Sequence, residues 1–240
     1  MSSQERSTTA TSHVLDRACW NALVGPHAHL AEVNGSARRY PADMSPFNAV
    51  ADIANPQAWD DLQKLIGYKG TAIVIGESIL APTGWKIVKV FPGVQMTGED
   101  VVGQEDADLV NLTNADALEM LALAARNEPG PFLPRTVELG GYLGVRVNGK
   151  LVAMAGKRLN PPGWVEISAV CTDLEQRGKG YAARLVLGVT ARIIESGQRP
   201  FLHASAQNLG AIRLYEKLGF KIRTRPIFTI LKPGARVIHE

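Results

Sequence analysis

Residues 168–189 read SAVCTDLEQRGKGYAARLVLGV. A strand-like apolar run stops, Gly178 and Gly180 bracket Lys179 directly after Arg177, and a helix-like run begins at once. A change of direction needs only a turn. What the corner adds is chemistry. The first N–H groups of a helix have no intrahelical acceptor and carry the positive end of the helix dipole. Glycines let those amides approach a ligand with no Cβ in the way. Arg177 and Lys179 add charge, so the corner reads as a cradle for phosphate.

Three phosphate-binding signatures compete for it. A Walker loop needs Ser or Thr after the lysine, and Lys179 is followed by Gly180. A dinucleotide fingerprint is met in form by Gly178, Gly180 and Ala183. However, only about sixty residues follow it, too few for the usual doubly wound sheet, and the next strand, PFLHAS, ends in no acid. The third signature, R-x-x-G-x-[GA], is met by Arg177, Gly180 and Ala182. This resembles the coenzyme A pyrophosphate loop of the GNAT acetyltransferase superfamily. A second stretch, FLHASAQNLGAIRLYEKLGF, resembles that superfamily's next strand and helix through Asn208, Ala211, Tyr215, Gly219 and Phe220. The resemblance runs from about Asp106 to Leu231. Within the superfamily it is nearest the branch of glycine N-acyltransferase-like proteins.

Residues 14–55 carry turn signals but little periodicity. NPQAWDDLQKLIG reads as a helix capped by Asn55 and stopped at Gly67, and TAIVIG and GWKIVKVF read as strands. TGEDVVGQEDAD looks like a linker. Then come a strand (ADLVNLT), a helix (NADALEMLALAARN) with Leu118, Leu121, Leu123 and Ala124 apolar, and a Pro-broken loop. A hairpin turning at Asn148-Gly149 follows, then the strand WVEISAVCTD, a helix to Gly197, and a strand, a helix and a last strand, RPIFTILK. The expected fold is a mixed α/β sheet flanked by helices. Residues 105–240 would form the GNAT domain. Residues 1–104 would form a separate region, a small lid or a degenerate half-copy.

The resemblance implies a mechanism. Acetyl-CoA would lie in a gap between two splayed strands, opened by a bulge in WVEISAVCTD. Backbone around Val170, Cys171 and Thr172 would meet pantetheine, and the amides of Arg177, Gly178, Lys179, Gly180, Tyr181, Ala182 and Ala183 would take the pyrophosphate. Asn208 would cap its helix and also contact the cofactor. An amine would attack the thioester directly. Glu166, eleven residues before Arg177, would be its base, with a water relay or a purely anchoring glutamate as alternatives. Tyr215 would protonate the departing sulfur, although its helix face also suits a core residue.

Other residues fit structural roles. Cys171 reads as a small buried side chain rather than a nucleophile. His203 could face the gap but suits a structural role, and His27 and His29 have no third ligand in view. Phe132 and Arg135 sit where an acceptor loop is expected, and Arg135 could hold an acceptor carboxylate.

The charge is uneven. Residues 177–240 hold 12 Lys/Arg against 3 Asp/Glu, and residues 1–176 hold 14 against 20. A basic end attracts anions, but no aromatic-rich basic strand suits nucleic acid. No apolar run approaches the ~20 residues of a membrane span, and MSSQERSTTATSH lacks a signal-peptide layout. Two distant cysteines make no disulfide framework, and no Cys/His spacing resembles a metal site, so a reduced cytoplasm and no metal are expected. The expected activity is acetyl transfer from acetyl-CoA to a primary amine. Acyl transfer to an amino acid such as glycine, a non-catalytic CoA-binding protein and a nicotinamide-dependent enzyme are the alternatives. A homodimer is left open.

Overall fold

The computed structural model describes residues 12–234. The elements are α1 (Ala18–Val24), β1 (Glu32–Asn34), β2 (Ala37–Arg39), β3 (Asn48–Val50), α2 (Pro56–Ile66), β4 (Ala72–Gly76), β5 (Trp85–Thr97) and β6 (Val110–Asn111). There follow α3 (Ala117–Asn127), β7 (Leu143–Val147), β8 (Lys150–Lys157), β9 (Trp164–Thr172), α4 (Tyr181–Glu195), β10 (Arg199–Ser205), α5 (Leu209–Lys217), β11 (Lys221–Thr224) and β12 (Ile227–Pro233). Among the described residues, nine strands form one mixed sheet in the order β4-β12-β5-β10-β9-β8-β7-β6, with β11 also on β5. Only β9 and β10 pair in parallel.

Local chemistry sets several elements as the sequence suggests. Asn55 caps α2 by accepting from Gln57 N–H at 3.0 Å, Pro56 opens the helix and Gly67 ends it at φ +72°. The β7–β8 hairpin turns through Asn148 at φ +51° and Gly149 at φ +81°, both in the left-handed region that a two-residue hairpin demands. In α3 the inward residues are Met120, Leu123 and Ala124, whereas Leu118 is exposed. The helix starts a turn later than expected, because Thr113 caps a preceding 3-10 turn at Asn114–Asp116.

The boundary expected at residue 104 does not divide the molecule. β5 lies between β10 and β12, in the middle of the sheet. Side chains from both parts share one core, in which Leu15, Cys19, Tyr40 and Phe47 pack with Trp164 and Phe201 of β9 and β10. Nor does the acidic stretch behave as a free linker. Gln104 N–H donates to Leu187 O of α4 at 3.1 Å, and Arg184 grips both oxygens of Asp106 at 2.5 and 2.8 Å. A sequence pattern identifies a strand from its own residues, but its neighbours in the sheet are set by pairing at long range.

Helix α4 covers one face of the sheet, with Leu185, Val186, Val189 and Ile193 buried against Val152, Val165 and Leu202. Helix α3 packs its Met120 and Leu123 against Leu151, Met154 and Cys171 in a separate cluster. The small sheet β1-β2-β3 and α2 pack around Trp59 and Trp85, whose rings meet edge-on at 5.3 Å.

Candidate active site

The parallel pairing of β9 and β10 runs from Trp164↔Arg199 to Ile167↔Leu202 and stops there. Beyond it the strands part. The break coincides with a bulge in β9. Its register against β8 passes from Met154↔Cys171 to Gly156↔Ser168, so β9 carries an extra residue. Ala169 absorbs it at φ +53°, a left-handed conformation that costs a non-glycine residue about 1–2 kcal/mol. Such strain persists where packing holds it, and Ala169 is buried with Tyr142 and Cys171.

Past the bulge opens a cleft of about 720 Å³. Around it the structure places Val170, Cys171, Thr172, Arg177, Gly178, Gly180, Tyr181, Ala182, Ala183 and Asn208, together with Tyr215. Lys179 is the exception: its ammonium turns aside to Gln176 Oε1 at 2.7 Å. Gly178 and Gly180 have φ of +81° and +80°, and a Cβ at either would meet open space. Glycine is therefore required by the backbone conformation, and the space beside it is free for a ligand. The N–H groups of residues 178–183 precede the first bond of α4, Arg184 N–H to Gly180 O at 3.1 Å. The guanidinium of Arg177 folds back to Thr172 O (3.2 Å) and Asn127 Oδ1 (3.3 Å), leaving the amides open. A 15-residue helix adds its dipole. These features fit a pyrophosphate.

A second cavity, of about 440 Å³, adjoins the same parted strands. Its apolar walls include Phe47 and Ile73 from the first third of the chain, Phe91 of β5, and Phe228 and Ile230 of β12. Val170, Asn208, Ala211, Tyr215, Glu128 and Pro129 line both spaces. Tyr215 therefore stands at their junction. Burial pushes its phenol up to about 12, so it stays protonated across the neutral range. Asn208 caps α5, its Oδ1 accepting from Ala211 N–H at 3.1 Å. Glu128, the αL cap of α3 at φ +47°, is the one carboxylate on both walls. Nothing in its sequence context singled it out.

The base expected at Glu166 is not supported by its surroundings. Its carboxylate is fully buried. It accepts from Arg158 Nε (2.9 Å) and Nη2 (2.6 Å), from Leu159 N–H (3.3 Å) and from His203 Nδ1 (2.7 Å). Burial alone would raise its pKa, but the charge and hydrogen bonds of Arg158, with His203, outweigh that and hold it at about 2. A carboxylate so held is a weak proton acceptor. The tautomer of His203 follows from its other side. Gln95 Oε1 accepts from Arg223 Nε (2.5 Å) and Gln95 Nε2 donates to Leu15 O (3.0 Å), so that amide nitrogen also donates to His203 Nε2 (3.0 Å). His203 is thus oriented by two buried partners and lines the second cavity.

Arg135 is also elsewhere. It pairs with Glu138 at 2.8 and 2.7 Å and reaches Asp43 at 3.4 Å, away from both spaces. Phe132 packs edge-on to Tyr142 at 5.7 Å. The cation on the cavity wall is Arg158. Cys171 is buried, and burial pushes its thiol up to about 12. His27 bonds Tyr40 Oη at 2.9 Å, and burial lowers it to about 4. Among the described residues no group of three or more His, Cys, Asp or Glu could hold a metal, and no helix is long and apolar enough to cross a membrane.

Comparisons with known proteins agree with this geometry. The FR47-like protein family model matches residues 142–228, which span β7 through α5 and into β12. No match is found among curated proteins. A Novosphingobium aromaticivorans protein assigned to the acetyltransferases of the GNAT family is 39% identical; the similarity covers 93% of this chain and 100% of that one, with a TM-score of 0.86. A GCN5-related N-acetyltransferase from Kribbella flavida shares the fold at 20% identity and a TM-score of 0.60, over 92% of this chain and 97% of that one. A relative 39% identical and similar over its whole length, together with the family-model match, leads to one conclusion: this chain belongs to the GNAT family and is an acyltransferase.

Proposed function

We propose that the protein moves an acetyl group from acetyl-CoA to a primary amine by direct attack. One observation carries this reading: Tyr215 and Val170 form the wall shared by a phosphate-ready cleft and an apolar cavity. The cofactor's diphosphate would rest on the amides of residues 178–183, and its pantetheine would run along Val170–Thr172. Acetyl-CoA supplies the electrophilic thioester carbon. An N–C bond forms as the C–S bond breaks, giving an N-acetyl amide and the free thiol of CoA. The Val170 region would stabilise charge on the thioester oxygen. Tyr215 donates its O–H toward the departing sulfur. The proton lost by the amine passes to water or to Glu128, the carboxylate at the junction. Glu166 takes no proton in this scheme.

The test has two steps. Acetyl-CoA and CoA, but not NAD or ATP, should raise the melting temperature of the purified protein, since a ligand bound only by the native state must do so. A screen of amines that reads CoA release then identifies acceptors. A rise with NAD and none with CoA would overturn the reading.

A further inference from the structure

The acceptor cavity has a charged floor that acetyl transfer by itself does not need. Arg158 is 8% exposed and Glu166 0%, an ion pair whose burial costs desolvation at both partners. Two of the three guanidinium nitrogens, Nε and Nη2, are spent on Glu166. The third, Nη1, has no hydrogen-bond partner among the described residues, and Arg158 lines the cavity. The group is rigid. Glu166 fixes its plane, His203 fixes Glu166, and the guanidinium carbon stands 4.7 Å over the ring of Phe47. A fixed arginine edge with two free N–H donors suits an oxyanion.

Charge is laid out along the cavity in the same sense. Arg158 lines the cavity alone and the Glu128 carboxylate lines both spaces, and Phe47, Ile73, Phe91 and Phe228 supply apolar wall. Arg158 pairs with Glu166 through Arg158 N–H to Glu166 O at 3.0 Å. Val170, at the junction of the two spaces, lies four residues further along β9 and beyond the Ala169 bulge. Arg158 lines the cavity and not the cleft, whereas Tyr215 lines both, so an acceptor's pairing group and its attacking amine would sit apart along the cavity.

We propose that the acceptor is an amino-carboxylate with an apolar body. Its carboxylate pairs with Arg158 Nη1, and its amine, several bonds away, reaches the thioester beside Tyr215. The inference rests on the acetyl-transfer reading and names its substrate class. Arg158 is then a specificity residue, and Glu166 and His203 position it.

Matched amines test it on the unaltered protein: 4-(aminomethyl)benzoate against 4-methylbenzylamine, and 6-aminohexanoate against hexylamine. The carboxylate member should have the higher kcat/KM by about tenfold or more, the worth of one hydrogen-bonded charge. Equal or inverted ratios would overturn the proposal. A binding arm needs no turnover: 4-methylbenzoate is titrated into the CoA-loaded protein by calorimetry. Saturable binding that Arg158→Lys weakens about tenfold or more supports the site. No binding, or binding that Arg158→Lys leaves unchanged, refutes it. Circular dichroism confirms that the variant is folded, and its charge keeps Glu166 paired. If acetyl-CoA itself fails to raise the melting temperature, the transferase reading falls separately, whatever the carboxylate does.

Discussion

Replacing Glu166 by glutamine separates its two possible roles. The substitution keeps the shape and removes the charge. Arg158 would then be buried beside a neutral amide, and one amide N–H₂ would face donors instead of accepting from them. Removing one partner of a buried ion pair costs ~3–5 kcal/mol. The lowered carboxyl corresponds to a figure of similar size. A carboxyl held at about 2 instead of its ordinary 4.5 stabilises the fold by about 3 kcal/mol at neutral pH. The folded-state value lies below the unfolded one, so this stability is complete above 4.5 and is lost as pH falls toward 2. The gap between the two proteins should therefore narrow by about 1.4 kcal/mol from roughly pH 7 to pH 3.5. Urea unfolding at the two pH values measures it directly. His27, lowered to about 4, also loses stability as pH falls below 6.5, but it does so in both proteins and cancels. At neutral pH the variant should melt roughly 10 °C lower. If instead it is within 1 kcal/mol of wild type and the acid limb of its kcat/KM profile vanishes, Glu166 is the base and the argument above fails.

Other expectations follow from the same geometry. Tyr215→Phe should reduce kcat by ~100-fold or more while leaving the Kd for CoA nearly unchanged; single-turnover kinetics and calorimetry separate the two, and unchanged turnover would remove its role as acid. Gly180→Ala, forced to φ +80°, should cost about 1–2 kcal/mol in stability and raise the KM for acetyl-CoA, read by unfolding and steady-state kinetics. Asn208→Ala should lower stability by about 1 kcal/mol through the lost cap, with weaker CoA binding only if the side chain also meets the cofactor. Cys171, with its thiol pushed up to about 12, should resist alkylation by iodoacetamide in the native protein at neutral pH, as mass spectrometry would show.

The glycine corner and the Asn208–Tyr215 helix were legible from residues alone, because both depend on local backbone chemistry. A left-handed glycine, an unpaired helix start and an N-cap are decided within a few residues of chain. The family was legible for the same reason. What the sequence could not give was partnership across the sheet. The run GWKIVKVF looks like any strand, yet β5 inserts between β10 and β12 and brings the first hundred residues into the central sheet. Phe47 and Ile73 consequently wall the second cavity from positions far from every recognisable motif. Glu166 had the spacing of a base. Its surroundings are set by Arg158, eight residues away across a strand pairing, and by His203, thirty-seven residues away on a parallel neighbour. Spacing along the chain thus marked the glycine corner and the α5 motif. Tertiary structure decided the surroundings of Glu166, because the ionisation of a buried carboxylate depends on the charges packed against it and not on its place in a pattern.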